Sequence, residues 1–130
     1  MKVVAAALVR DIGGPQVLIA QRPSGKWQAG RWEFPGGKIE EHESPRDALH
    51  RELVEELGVD VAVARELGQF SFAYPDRSVE ISLWLVTEFR GEPRGLDSQA
   101  LRWVHPSQLA GCDLLEADLP MIGPLRQVLG

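Results

Sequence analysis

The chain is poor in cysteine: Cys112 stands alone among 130 residues, so no disulfide can close within it. A single thiol fits a reducing compartment, and the cytoplasm is the expected setting. A surplus of basic charge is also lacking, with 14 Lys and Arg against 19 Asp and Glu and a net charge of -5. Without a basic stripe, binding of nucleic acid through its phosphates is not expected. A small anionic substrate stays open, because a metal ion can supply positive charge locally. No apolar run is long enough to cross a membrane, so no membrane partner is expected. The N-terminal MKVVAAALVRD has the look of a secretion signal, but its apolar run is short and charge returns at Arg10 and Asp11. A first β-strand is the better reading. Repeats, low-complexity tracts and linkers are missing too, and residues 1–130 suit one domain with a genuine core.

What is there alternates between strand-like and turn-like segments. Residues 3–9 and 17–20 are runs of strand length separated by Gly13-Gly14-Pro15, and the two are expected to pair. Residues 22–31 read as a loop, and Pro35-Gly36-Gly37 breaks the short aromatic stretch Trp32-Glu33-Phe34. Ser44-Pro45-Arg46-Asp47 is a helix start and Gly58 sits where a terminating glycine belongs, which predicts a helix over 45–57. Further strands are expected at 59–63, 68–74, 79–89 and 101–104, and a terminal helix at 119–129 interrupted by Gly123 and Pro124. Strands on both sides of a central helix, with a terminal helix, suggest a mixed sheet between helices, an α/β class.

The central helix carries an oddity. Glu52, Glu55 and Glu56 crowd an arc of about 100° close to its C-terminal end. Glu52 repels the other two at i+3 and i+4, and Glu55 and Glu56 sit near the negative end of the helix dipole. Leu49, Leu53 and Leu57 line the adjoining face, which should pack on the sheet, and Arg51 stands one turn before Glu55. Acidic surface helices are common, since Glu is a good helix former. A hard divalent cation would reverse both penalties, and Mg²⁺ prefers carboxylate oxygens while keeping positions open for substrate phosphates. The preceding Gly36-Gly37 backbone can approach a ligand closely, and Glu43 and the capped helix follow it.

Residues 37–59, GKIEEHESPRDALHRELVEELGV, resemble the Nudix box, and Gly37, Glu43, Arg51, Glu52, Leu53, Glu55, Glu56, Gly58 and Val59 fill every specified place. A long gapped pattern without exception is a specific signal. WEFPGGK at 32–38, YPDR at 74–77, GEPRG at 91–95 and ADLP at 117–120 are similar to the MutT branch, so the likeness spans nearly the whole chain. The resemblance implies the Nudix fold, an α/β/α sandwich with a mixed sheet, and cleavage of nucleoside triphosphates to monophosphate and pyrophosphate. It implies Mg²⁺, with Mn²⁺ as a substitute, held by the Gly37 carbonyl, Glu52, Glu55 and Glu56. Asp97 matches the place of a further acid ligand that is Glu in the best-known MutT sequences; its other reading is a plain loop residue. Glu43 and Arg51 look like supporting residues, with Arg51 positioning the glutamates.

For the chemistry, Glu52 is the favoured general base, with Glu55 or Glu56 as alternatives, and attack is expected at the β-phosphorus by family likeness. Arg22 and Lys38 could contact phosphates, or be solvated cations. Phe34 and Tyr74 lie where the family places the base, or belong to the core. Arg77 could support either group of contacts, or be an ordinary turn residue. Asp118 is expected to read the base edge, and it also suits a helix N-cap. YPDR favours oxidised purine nucleotides such as 8-oxo-dGTP. QAGRWEF, QALRW and ADLP also resemble relatives acting on CTP, dCTP or 5-methyl-dCTP. ADP-ribose cleavage, suggested by Pro75, ranks behind both. A non-catalytic Nudix-like module is expected to lose box glutamates, and here none is lost. The chain is expected to act as a monomer or homodimer.

Overall fold

The computed structural model describes residues 1–130. Strand β1 (Lys2–Asp11) is the spine of a seven-stranded mixed sheet. Its first half runs parallel to β6 (Arg77–Arg90) and, on its other edge, antiparallel to the short β4 (Gly36–Lys38). Its last residues pair antiparallel with β2 (Pro15–Gln21), which in turn pairs with β3 (Trp32–Glu33) and β7 (Leu101–Val104). Strand β5 (Asp60–Tyr74) forms a long hairpin with β6 and is the outer strand.

Successive side chains of a strand point to opposite faces. In β1 this sends Ala5 and Ala7 into one core and Val4, Ala6 and Leu8 into another. A strand buried on both sides therefore reads as an unbroken apolar run, which is why residues 3–9 lack alternation. The second core is closed by helix α1 (Pro45–Leu57), whose Ala48, Leu49, Leu53 and Leu57 are fully buried. Each such leucine contributes about 1.5–3 kcal/mol relative to exposure. The first core is closed by two 3₁₀ turns, at Pro106–Gly111 and Glu116–Met121, and by helix α2 (Ile122–Leu129), with Leu109, Met121 and Leu125 buried. Helices thus cover both faces of the sheet, the α/β/α arrangement expected. No helix is long and apolar enough to cross a membrane.

Helix α1 has the predicted limits. The Ser44 hydroxyl accepts the Asp47 N–H at 3.1 Å, Pro45 opens the helix, and Gly58 closes it at φ 70°, a left-handed conformation that costs glycine nothing. Two expectations are corrected. The strands expected at 59–63 and 68–74 are one strand, because residues 64–66 also pair with β6 and a register shift passes over Leu67. The helix expected from 119 begins at Ile122; residues 116–121, which include Pro120, form a 3₁₀ turn. Pro124 then falls in the first turn of α2, where its missing N–H has no partner to lose.

Strand β4 lies so close to β1 that a Cβ on Gly36 would sit 1.9 Å from the Val4 carbonyl oxygen. That oxygen belongs to the central strand and has nowhere to move. Gly36→Ala is expected to lower the free energy of unfolding by about 3 kcal/mol, read from the urea midpoint.

Candidate active site

The site is organised around Arg51, on the face of α1 next to β4. Its Nε and Nη2 donate to the two carboxylate oxygens of Glu43 at 2.8 and 2.9 Å, and Nη2 also donates to the Lys38 carbonyl at 2.9 Å. Its Nη1 reaches Glu52 at 2.9 Å and Glu55 at 3.5 Å. The guanidinium beside Glu43 is the main reason that this carboxyl is held down to about 2. Glu43 in turn keeps the guanidinium firmly charged.

Glu52 lies against the glycine strand: a Cβ on Gly37 would come within 2.4 Å of its carboxyl carbon. Glu56 accepts the Gly36 N–H at 3.4 Å. Its carboxyl is pushed up to about 8, first by burial and then by the negative charges of Glu52 and Glu33. Glu52 and Glu56 therefore face each other and Gly36-Gly37 with negative charge left over on the side away from Arg51. Hard oxygen donors crowded this way suit a divalent cation such as Mg²⁺. The acids do not stand as a ready-made cage, since no three of them converge closely enough to hold an ion. Arg51 draws Glu55 outward, and its carboxylate is largely exposed.

A cavity of about 340 Å³ opens beside this helix, lined by Gly37, Glu56 and Asp97 together with Arg22, Phe34, Lys38, Tyr74, Arg77 and Asp118. Its size suits a small organic ligand. Glu52, Glu55 and Arg51 are outside the lining, with Glu52 set behind Gly37. Lys38 is an exposed residue of the rim. Arg22 is no free cation: Nη1 pairs with Glu33 at 3.1 Å and Nε donates to the Trp27 carbonyl at 2.6 Å. Burial raises the Glu33 carboxyl and the Arg22 charge pulls it back. Arg77 is more than a turn residue, since its guanidinium lies 4.6 Å over the Trp27 ring, which meets Tyr74 edge-on at 4.8 Å. Tyr74 accepts the Ala117 N–H at 3.2 Å through its hydroxyl.

Phe34 lines the cavity and is also part of a core, the other reading that its sequence position offered. The residue is only 3% exposed and belongs to the first core, so its ring offers little face to a base. Its backbone N–H instead donates to Asp118 Oδ2 at 3.0 Å. The N-cap reading of Asp118 falls with it, because the residue lies inside a 3₁₀ turn and its carboxyl looks across to β3 rather than along a helix. Burial pushes the Asp118 carboxyl up to about 7, with the Phe34 N–H pulling the other way.

Trp27, Glu33 and Gln99 also line the cavity and escaped the sequence reading. A carboxylate flanked by two aromatics at 32–34 and a tryptophan stranded in a polar loop were the available signals. Gln99 gave none.

A glycine strand, a sheet-packed helix with its acids turned toward that strand, and an adjoining nucleotide-sized cavity define a hydrolase of the helix-borne carboxylate kind. A family model for the NUDIX domain matches residues 1–125, and the chain belongs to the Nudix family of hydrolases. It is 39% identical over 122 residues to the CTP pyrophosphohydrolase of Escherichia coli (strain K12), covering 94% of this chain and 88% of that protein. It is 32% identical over 125 residues to the 8-oxo-dGTP diphosphatase of the same organism, covering 96% of each. Among solved structures, one described as MutT in a study of Aliivibrio salmonicida and Vibrio cholerae superposes with a TM-score of 0.81 at 32% identity, covering 98% of this chain and 99% of that one.

Asp118 generates a pH prediction. Its carboxyl is raised above the unfolded value, so between about pH 4 and 7 the native chain holds a proton that the unfolded chain has released. Stability from this group is complete at low pH and declines as pH rises through that window, by about 1.4 kcal/mol per pH unit at most. Asp118→Asn keeps an acceptor for the Phe34 N–H and removes the titration. The melting temperature of the variant minus that of the parent is expected to grow from pH 5 to 7.5 and then level off.

Proposed function

We propose that the protein is a Mg²⁺-dependent nucleoside triphosphate pyrophosphohydrolase of MutT type, which hydrolyses oxidised deoxynucleotides such as 8-oxo-dGTP to the monophosphate and pyrophosphate. The observation that carries this reading is the buried Asp118 carboxyl, held by the Phe34 N–H at the wall of a cavity that also borders Glu56 of the box helix. A polar group buried where a base would lie discriminates strongly, because a mismatched base leaves it without a partner. The neutral carboxyl can donate to a base carbonyl, and the ionised one can accept from an exocyclic amine.

Gly37, Glu52, Glu55, Glu56 and Asp97 would hold the metal, which when bound neutralises phosphate charge and makes a bound water more acidic. Glu52 takes the proton from the attacking water in this reading, which its closeness to Gly37 supports. Attack falls on the β-phosphorus by family likeness. Arg51 orients Glu52 and Glu55, and Glu43 fixes Arg51. Arg22 and Lys38 face the phosphates from the cavity wall and rim, while Tyr74 and Arg77, braced by Trp27, bound the base. The whole chain works as one domain, as a monomer or homodimer in the cytoplasm, with no nucleic acid or membrane partner.

A second reading, hydrolysis of CTP, dCTP or 5-methyl-dCTP, is favoured by the 39% identity to a CTP pyrophosphohydrolase over nearly the whole chain. Steady-state kcat/KM for 8-oxo-dGTP, dGTP, CTP, dCTP and 5-methyl-dCTP decides between them. Preference for 8-oxo-dGTP, with pyrophosphate released and activity abolished by EDTA, is the expected outcome; preference for cytosine nucleotides transfers the assignment to the second reading. Glu52→Gln is expected to lower kcat about 10²–10⁴-fold with the melting temperature little changed. Near-normal turnover would remove Glu52 as the base.

A further inference from the structure

The last carbonyls of a helix have no partners within it. In α1 they are met by the loop between β6 and β7. Arg94 N–H donates to the Leu57 carbonyl at 3.0 Å and Leu96 N–H to the Glu56 carbonyl at 3.0 Å. The Glu56 carbonyl takes a second bond, from Gln99 Nε2 at 3.2 Å, while Gln99 Oε1 accepts the Asp97 N–H at 2.8 Å. One planar amide thus ties the backbone of Asp97 to the backbone of Glu56. The loop is folded tightly around it: a Cβ on Gly95 would lie 2.1 Å from the Gln99 carbonyl oxygen. Asp97, Gln99 and Glu56 border the same cavity.

We propose that Gln99 is a positioning residue that clamps the Asp97 loop to the end of α1, so that Asp97 and Glu56 meet the metal as one preassembled unit. This rests on the reading of Asp97 and the box glutamates as the metal ligands. The amide is the side chain the position requires, since it must donate from one atom and accept at another; a carboxylate lacks the donor, an ammonium the acceptor, and asparagine is one methylene short. Because the clamp grips backbone atoms, it leaves both carboxylates free. The donors it brings also offset the negative end of the helix dipole beside Glu56.

A residue that merely stabilised the loop would alter melting temperature without altering metal affinity in an Asp97-dependent way. The test measures Mn²⁺ binding to the nucleotide-free protein by electron paramagnetic resonance, and the Mg²⁺ concentration for half-maximal activity, in Gln99→Met, Asp97→Asn and the double variant. Gln99→Met is expected to weaken Mn²⁺ binding to the nucleotide-free protein and to raise the Mg²⁺ requirement about tenfold. In the Asp97→Asn background the same change is expected to add less than about twofold, because linked residues do not act additively. Should Gln99→Met not fold, Gln99→Asn reads the same quantities. A full effect in the Asp97→Asn background overturns the proposal, as does unchanged Mn²⁺ affinity in the Gln99 variants when Asp97→Asn itself weakens binding. Unchanged affinity in Asp97→Asn overturns the metal role of Asp97 first, and the clamp with it.

Discussion

The arrangement of the site depends on one guanidinium. Arg51 distributes its donors to Glu43, Glu52, Glu55 and the Lys38 carbonyl, joining the helix, the glycine strand and the loop between them. A planar fork with five N–H groups can serve that many acceptors at once, and an ammonium cannot. The pairing with Glu43 is more than a surface ion pair, because both side chains are mostly covered and the contact is bidentate. Without it, a helix with this many carboxylates beside a buried strand would carry repulsion with nothing to set it against.

Arg51 balances only one side of the helix. Glu43, Glu52 and Glu55 lean toward it, whereas Glu56 lies among Glu52, Glu33 and the Gly36 N–H. Its raised carboxyl is the measure of that imbalance: burial and like charge both favour a proton, and only a single long backbone hydrogen bond opposes them. Without a cation, burial and like charge favour the protonated form of Glu56. A divalent cation would favour the ionised form of the same group, so metal binding there should release protons. The electrostatic asymmetry of α1, rather than its count of acids, is what makes the cavity side of the helix suited to phosphate chemistry.

Much of this half of the molecule was legible in the sequence, because it is local. The limits of α1, its cap at Ser44, its glycine terminus and the relative placing of Arg51 and the glutamates all follow from helix geometry within a few turns. The two-faced burial of β1 was visible as an unbroken apolar run. The other half was not. The Phe34 N–H meets Asp118 across 84 residues, Tyr74 meets Ala117 across 43, and Gln99 meets Glu56 across 43. No spacing rule reaches that far, so Asp118 was singled out by resemblance without its partner at Phe34, and Gln99 was not singled out at all. Phe34 had two readings, beside the base or in the core: just past β3 it belongs to the first core, and its backbone N–H is the group that meets Asp118.

The division between local and long-range parts coincides with the division between the two cores. Helix α1 packs on one face of the sheet with Leu8, Leu18 and Val86, while Phe34, Tyr74 and Ala117, on the cavity wall beside Asp118, pack with the other. β1 separates the cores and shares its alternate side chains between them. A substitution at Phe34, Tyr74 or Ala117 is therefore felt in a core that α1 does not enter, and the spacing of the carboxylates on α1 does not depend on it. Relatives named for CTP and for 8-oxo-dGTP both match this chain over nearly its whole length, and a sheet that keeps α1 in one core and the far wall of the cavity in another lets that wall vary without disturbing the helix.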